Sequence, residues 1–384
     1  MKKINKIYLL IVIVSILSFT LKAEVISPYK DSKTFVVKKG GKLIVNIIGG
    51  NIKIITWQKN EVRVAVKGNN SVEKFKSLTL SENNNTINVQ SSTYEDGIDL
   101  EISVPTNFNP NLNTFGGNIL VDGNLTGELK AKTSGGNINI DEVNGNVNLI
   151  TAGGDIRTKA INGNAELTSA GGNFKVGFIT GSAKISTAGG NIFLYGIRSK
   201  LNLSTAGGNV RVEKVENDVT ISTGGGNISV GGIAKNVDLS SGGGNVQLDE
   251  ATGTIKISTG AGNISVSKGR RSANLTTGAG NIELTLFSVS DNDTYLRTGA
   301  GNITLTLPSN SDATITATVK LDKWTIESKD KKKWIISDFP NTTYNVVNDG
   351  DRDKIVAVYK LNNGKNNISL TSVYGKIYIL KLEK

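Results

Sequence analysis

The 384-residue sequence predicts an all-β chain wound as a single-stranded parallel β-helix, a β-solenoid with 18-residue coils and a cap at each end. Three observations carry this. First, a motif Gly-Asn-(Ile/Val)-x-(apolar) recurs with anchors Asn137, Asp155, Asn173, Asn191, Asn209, Asn227, Asn245, Asn263 and Asn281, each 18 residues after the last. A fixed short period means stacked units that bury their apolar faces on one another. Second, each unit is itself double: Gly136-Asn137-Ile138-Asn139-Ile140 is echoed by Gly145-Asn146-Val147-Asn148-Leu149. Alternation over a few residues followed by a turn reads as a short, half-buried strand. Third, glycine is too dense in this region for a helix, with 44 in the chain. Right-handed coiling is the expected sense.

Taken in order, residues 1–23 have the form of a secretory signal: Lys2, Lys3 and Lys6 precede an apolar run over residues 7–19, with cleavage expected after Ala23. The run is short for a membrane span. No cysteine stands near the site, or anywhere in the chain, so neither lipoprotein-type anchoring nor a disulfide framework is available. Histidine is absent too, which removes the commonest general base and zinc ligand. The net charge of +11 includes four lysines of the leader.

Residues 24–112 read as β-rich but irregular, an N-terminal closure of the same solenoid, with an early copy of the motif at Gly50-Asn51-Ile52-Lys53-Ile54. Such a closure is needed because an open coil end is an unpaired sheet edge. Residues 113–307 form the regular array. Its first turn is Thr-Ala-Gly-Gly-Asn or a variant, where the glycine pair suits backbone angles closed to other residues. Asparagines at the anchors, and Thr151, Ser169, Thr187, Thr205, Thr223, Ser241, Thr259 and Thr277 beside them, should stack as ladders of buried amides and hydroxyls that satisfy one another and the turns. Core ladders run through Ile138, Ile156, Phe174 and Ile192 on one wall and Leu149, Leu167, Ile185 and Leu203 on the other. After Asn281 the interval to Asn302 is 21 residues, and Pro308 ends the array. Residues 308–384 read as a C-terminal β cap, interrupted by a charged stretch, Lys329 to Lys333, flanked by Trp324 and Trp334.

Serial Gly-Gly-Asn-Ile coils behind a signal peptide resemble the bacterial putative-adhesin β-solenoids of unknown function, of the toast-rack and auto-transporter-head kind. The stretch from Gly50 to Ile54 with Trp57, and the array ending in Ile303-Thr304-Leu305-Thr306-Leu307-Pro308, look like that family. The resemblance implies a β-helix at the cell envelope serving adhesion or envelope-stress scaffolding. It supplies no catalytic residues.

The residues themselves weigh against chemistry. Calcium-binding β-rolls need a carboxylate in every turn; here the turn carries asparagine, and only Asp155 is acidic. No metal, cofactor or catalytic residue is therefore expected. A glycosidase or lyase needs carboxylates flanking one substrate, whereas Asp141-Glu142 and Asp249-Glu250 are in register but six coils apart. Export and the lack of a recognition motif argue against nucleic acid. A binding wall is the better prospect. Outward positions stack Arg157, Lys175, Phe193 and Arg211, with Tyr195 in the neighbouring row and Phe178 expected at the turn of the coil below. A basic row with aromatics suits an acidic glycan or the edge of an envelope protein; ordinary surface variation is the competing reading. The expectation is a non-enzymatic exported binding or adhesion module, periplasmic, on the outer surface or secreted. The Lys329–Lys333 run with Trp334 offers a peripheral contact with anionic lipid or lipopolysaccharide, but a solvated loop is the preferred reading. The alternative is an envelope scaffold; a carbohydrate-active enzyme comes third.

Overall fold

Short runs of alternating apolar and polar residues set the local structure. In Ile156–Ile161, Ile156, Thr158 and Ile161 face inward while Arg157 and Lys159 face out; in Ala165–Ser169, Ala165, Leu167 and Ser169 face inward. Neither half can bury its apolar face alone, so coils stack. The computed structural model describes residues 31–91, 97–289, 292–322, 334–349 and 352–383. The expected leader, Trp324 and the lysine run of 329–333 lie outside the described residues. Asp31–Lys384 forms one unit.

Two sheets of parallel strands enclose the core. On one, Ile138, Ile156, Phe174, Ile192, Val210 and Ile228 are successive partners. On the other, Leu149, Leu167, Ile185, Leu203 and Ile221 follow the same spacing. We call these the first and second sheets. The core is a continuous column of aliphatic side chains, nearly all fully buried, each contributing about 1.5–3 kcal/mol by leaving water. First-sheet strands bend midway: Lys159 and Ala160 are both turned outward before Ile161 returns to the core.

The two polar ladders differ in setting. The Thr/Ser ladder is buried, and each hydroxyl joins two coils. Thr205 Oγ1 donates to the carbonyl of Gly190 in the preceding coil at 3.2 Å and accepts from the Gly208 amide of its own turn, also at 3.2 Å. The same pair of bonds recurs at Thr151, Ser169, Thr187, Thr223, Ser241 and Thr259. The asparagine ladder, expected to be buried, lies at the surface: Asn173, Asn191, Asn209 and Asn227 are exposed. Each side-chain oxygen accepts the backbone N–H of its counterpart one coil on, at 2.8–2.9 Å from Asn137 to Asn302. Solvent competes less because the amide donor lies between coils.

The glycine pair is also explained differently from the expectation. Neither member of the pair in residues 135–244 has positive φ. The second is required by the approach of neighbouring backbones: a Cβ on Gly190 would stand 1.9 Å from the Gly172 carbonyl oxygen, and one on Gly244 2.0 Å from that of Gly226. The first member has open space, as at Gly207, Gly225 and Gly243.

Both ends of the array are laid down out of sequence order. At the N-terminal end, Gly41–Ile47 pairs with Phe108–Thr114 on one side and Thr86–Ser91 on the other, and Ile52–Trp57 pairs with Ile119–Thr126 and Asp99–Pro105. Antiparallel strands then cover the outer edges: Glu61–Lys67 and Ser32–Val36 on the first sheet, Leu78–Asn83 on the second. A short helix, Ser71–Lys76, links two of these within the stretch expected to be β-rich but irregular. At the other end, Asn366–Val373 lies between Thr294–Thr298 and Ala313–Asp322 in the second sheet. Ile377–Lys381 likewise lies between Ile303–Leu307 and Ile335–Ser337 in the first. Arg352–Leu361 and Thr343–Asp349 close that end antiparallel.

Candidate binding face

The outer wall of the first sheet is built from three outward positions per coil: one before the bend and two on it. Strand pairing sets Arg157, Lys175, Phe193 and Arg211 side by side in the first row. About 4.8 Å separates neighbours in such a row. On the bend, Phe178 is the partner of Gly196, and Gly196 of Lys214. The absence of a side chain at Gly196 has a direct use. A Cβ there would lie 2.7–2.8 Å from the Phe178 ring and 3.3 Å from Lys214 Cβ, so the ring rests on bare backbone. Gly177, next to Phe178, could carry no Cβ either, because it would meet the Lys159 carbonyl oxygen at 1.6 Å.

Cations gather round this pair of aromatics. Lys214 Nζ donates to the Tyr195 hydroxyl at 3.1 Å and lies 4.9 Å from the ring centre. Arg198 stands 5.5 Å from the centre of the Phe178 ring and 3.9 Å from Glu216. The hydrogen bond to Tyr195 holds the Lys214 ammonium above the ordinary lysine range, so it stays charged at any working pH. Cation–π attraction orders long side chains that would otherwise wander.

Of the six residues expected at a site, all lie on this wall, but they are not equivalent. Tyr195 is 46% exposed, and Phe193 and Phe178 are half-buried. Phe178 is within strand Phe174–Ile179 and not at a turn, because the bend places two successive residues outward where simple alternation puts one. Lys175 is exposed and has no partner among the described residues. Arg157 is held by Asp155 at 2.6 Å and Arg211 by Glu213 at 2.5 Å, so part of their charge is already answered. Lys214 and Arg198 were missed in the sequence, although Gly196, standing where neighbours carry side chains, was the available signal.

The two acidic pairs singled out in the sequence do not meet on this wall. Asp141 and Asp249 occupy one row six coils apart, roughly 29 Å at the usual strand spacing. Asp141 is instead held by Lys159 at 2.7 Å, and this hydrogen bond keeps its carboxyl below the usual range. Among the described residues no group of three or more acidic side chains is placed to hold a metal ion. No helix among them is long and apolar enough to cross a membrane.

Residues 194–348 match the Toastrack DUF4097 family. The matched residues take in Tyr195, Arg198, Arg211 and Lys214 and leave Phe178 and Lys175 in the coils before them. Among solved structures, a putative adhesin from Bacteroides fragilis aligns at 18% identity over 66% of this chain and 95% of its own, with a TM-score of 0.25. A putative adhesin from Parabacteroides merdae aligns at 12% identity over 66% and 94%, with a TM-score of 0.28. A putative cell adhesion protein from Clostridium sporogenes gives 8% identity over 92% and 99%, with a TM-score of 0.17. No residue role is carried over from them. No curated protein matches the chain.

Proposed function

We propose that this chain is a non-enzymatic, exported binding module of the cell envelope. It holds an acidic ligand, a glycan or the acidic edge of an envelope protein, against the bend of the first sheet. The single observation behind this is the seating of Phe178 on Gly196 beside Tyr195, with Arg198 and Lys214 over the two rings. A ligand ring can stack on exposed aromatic surface while its carboxylate or sulfate meets Lys175, Arg198 or Lys214. Arg157 and Arg211, tied to Asp155 and Glu213, widen the row. Charge at the rim sets on-rate and salt dependence more than affinity, so capture should weaken as salt rises.

The test is capture of acidic and neutral envelope polysaccharides by the full chain and by a Lys175→Glu/Arg198→Glu/Lys214→Glu variant. Saturable, salt-sensitive capture of an acidic polymer that the variant loses, with an unchanged melting curve, is the expected result. Equal capture by both proteins places the ligand elsewhere. A second reading, an assembly scaffold, draws on apolar side chains at the two ends: Val36 is 83% exposed on one edge strand, and Val346 and Val347 are exposed on another. That reading requires a sedimentation coefficient that rises with concentration and is indifferent to the charge reversals.

A further inference from the structure

The second sheet carries a groove on the far side of the core from the aromatic bend. It has a volume of about 420 Å³ and runs along the solenoid axis over successive coils from Glu128 to Asn202. Its floor passes over Val147, Ala165 and Ala183, inward positions of consecutive strands. In the coils beyond, the same position is Leu201, Val219 and Val237. Two small side chains follow one another along this floor, and the polar rows on either side form the walls.

The walls are electrically balanced. Lys130 is paired with Glu128 at 3.1 Å and Lys184 with Glu166 at 3.4 Å. Unlike the bend, then, this groove has no net attraction for an anion. What it offers is hydrogen-bonding capacity of both kinds. On one wall the side-chain oxygens of Asn146 and Asn164 accept the backbone amides of Asn164 and Ser182. Their Nδ2 groups are thereby turned outward as donors, without a partner among the described residues. On the facing wall Asn148 spends its Nδ2 on Glu166 at 3.2 Å, which leaves its carbonyl oxygen as an acceptor. Amide donors at Asn146 and Asn164 thus face the Asn148 carbonyl oxygen and the Glu166 carboxylate across the groove, a mixed lining that suits a ligand whose every unit both donates and accepts.

Spacing chooses among such ligands. The rows repeat about every 4.8 Å. An extended peptide advances only about 3.3 Å per residue and falls out of step within two coils. A pyranose unit in an extended β-linked chain has nearly the length of one coil and stays in step. We infer that this groove is a subsite for an uncharged β-linked glycan chain, one sugar per coil, across the four coils from Lys130 to Lys184. The inference does not depend on the acidic-ligand reading of the bend.

Titration calorimetry of the full chain with cello- and chito-oligosaccharides of one to six units tests it. Affinity should climb with each unit up to four and then level off. Asn148→Trp, an outward substitution on a strand, should abolish binding by filling the groove. Asn148→Ala should weaken it about tenfold, the effect of losing one well-made hydrogen-bond pair. The Lys175→Glu/Arg198→Glu/Lys214→Glu variant should bind these neutral sugars as the unmodified chain does. Binding of neither series, affinity that ignores chain length, or binding lost in the bend variant but kept in Asn148→Trp would each overturn the assignment. Circular dichroism of all variants separates loss of binding from loss of fold.

Discussion

At the scale of single residues, the fold rests on contacts between backbones that chemical similarity does not reveal. Gly243 and Gly244 are adjacent in sequence and opposite in tolerance. Nothing lies within 4 Å of a Cβ on Gly243, whereas one on Gly244 meets a carbonyl oxygen at 2.0 Å. Gly243→Ala should be neutral or stabilise by about 0.4–1 kcal/mol through the unfolded state; Gly244→Ala should cost about 3 kcal/mol or more. Urea melts of the two variants would decide, and equal effects would refute the account. Thr205→Val keeps shape but strands the Gly190 carbonyl and the Gly208 amide, a loss of about 2–3 kcal/mol. Thr205→Ser should lose little, since Ser169 and Ser241 already serve there. Asp155 adds a pH dependence. The Asn173 amide, and then Arg157, hold its carboxyl below the ordinary value of 3.8. A depressed folded-state value means stabilisation that is complete above pH ~4 and drains away as pH falls through the lowered value. Asp155→Asn should therefore flatten the stability profile on the acid side of pH 4; an unchanged slope would show that Asp155 contributes nothing to it.

Elements were legible in proportion to how strictly they alternate. The 18-residue anchor spacing gave the coil register, because parallel partners such as Ile138, Ile156 and Phe174 share one repeat position. Where a strand bends, alternation fails, so simple alternation puts Phe178 at a turn and leaves Lys214 unmarked. The residue after the ladder hydroxyl is Ala152, Ala170, Ala188 and Ala206 in the earlier coils and Gly224, Gly242, Gly260 and Gly278 in the later ones. The turn changes its bonding at that point: Ala206 N–H bonds the Ala188 carbonyl, but Gly224 N–H bonds that of Thr205. A Cβ at Gly242 would sit 1.9 Å from the Gly224 carbonyl oxygen. The exchange is thus one-way. Ala206→Gly should cost about 1 kcal/mol at most, while Gly242→Ala should lower the unfolding midpoint markedly in a thermal melt. Similar melting points for both would mean that the two turn types are interchangeable.

For the whole molecule, periodicity predicts which lengths are allowed. Removing residues 228–245 joins Asn227 to Val246 with every row in step, so the shortened chain should fold with a modest loss of stability, as expected for a stack of nearest-neighbour units. Removing residues 228–236 instead sends first-sheet positions into the second sheet, and far-ultraviolet dichroism should show loss of the β signal or aggregation. The closures at the two ends were not legible in this way. The interval from Asn51 to Asn118 contains no regular spacing, and the strands there are ordered by antiparallel edges and by insertion. That insertion bears on how the protein is made. Asn366–Val373 enters between two strands, Thr294–Thr298 and Ala313–Asp322, that precede it in the chain. Until Asn366–Val373 is made, neither Thr294–Thr298 nor Ala313–Asp322 has the parallel partner that joins them in the finished sheet. A chain cut short before residue 366 leaves both edges unpaired, so it should aggregate and be cleaved by proteases faster than the full chain.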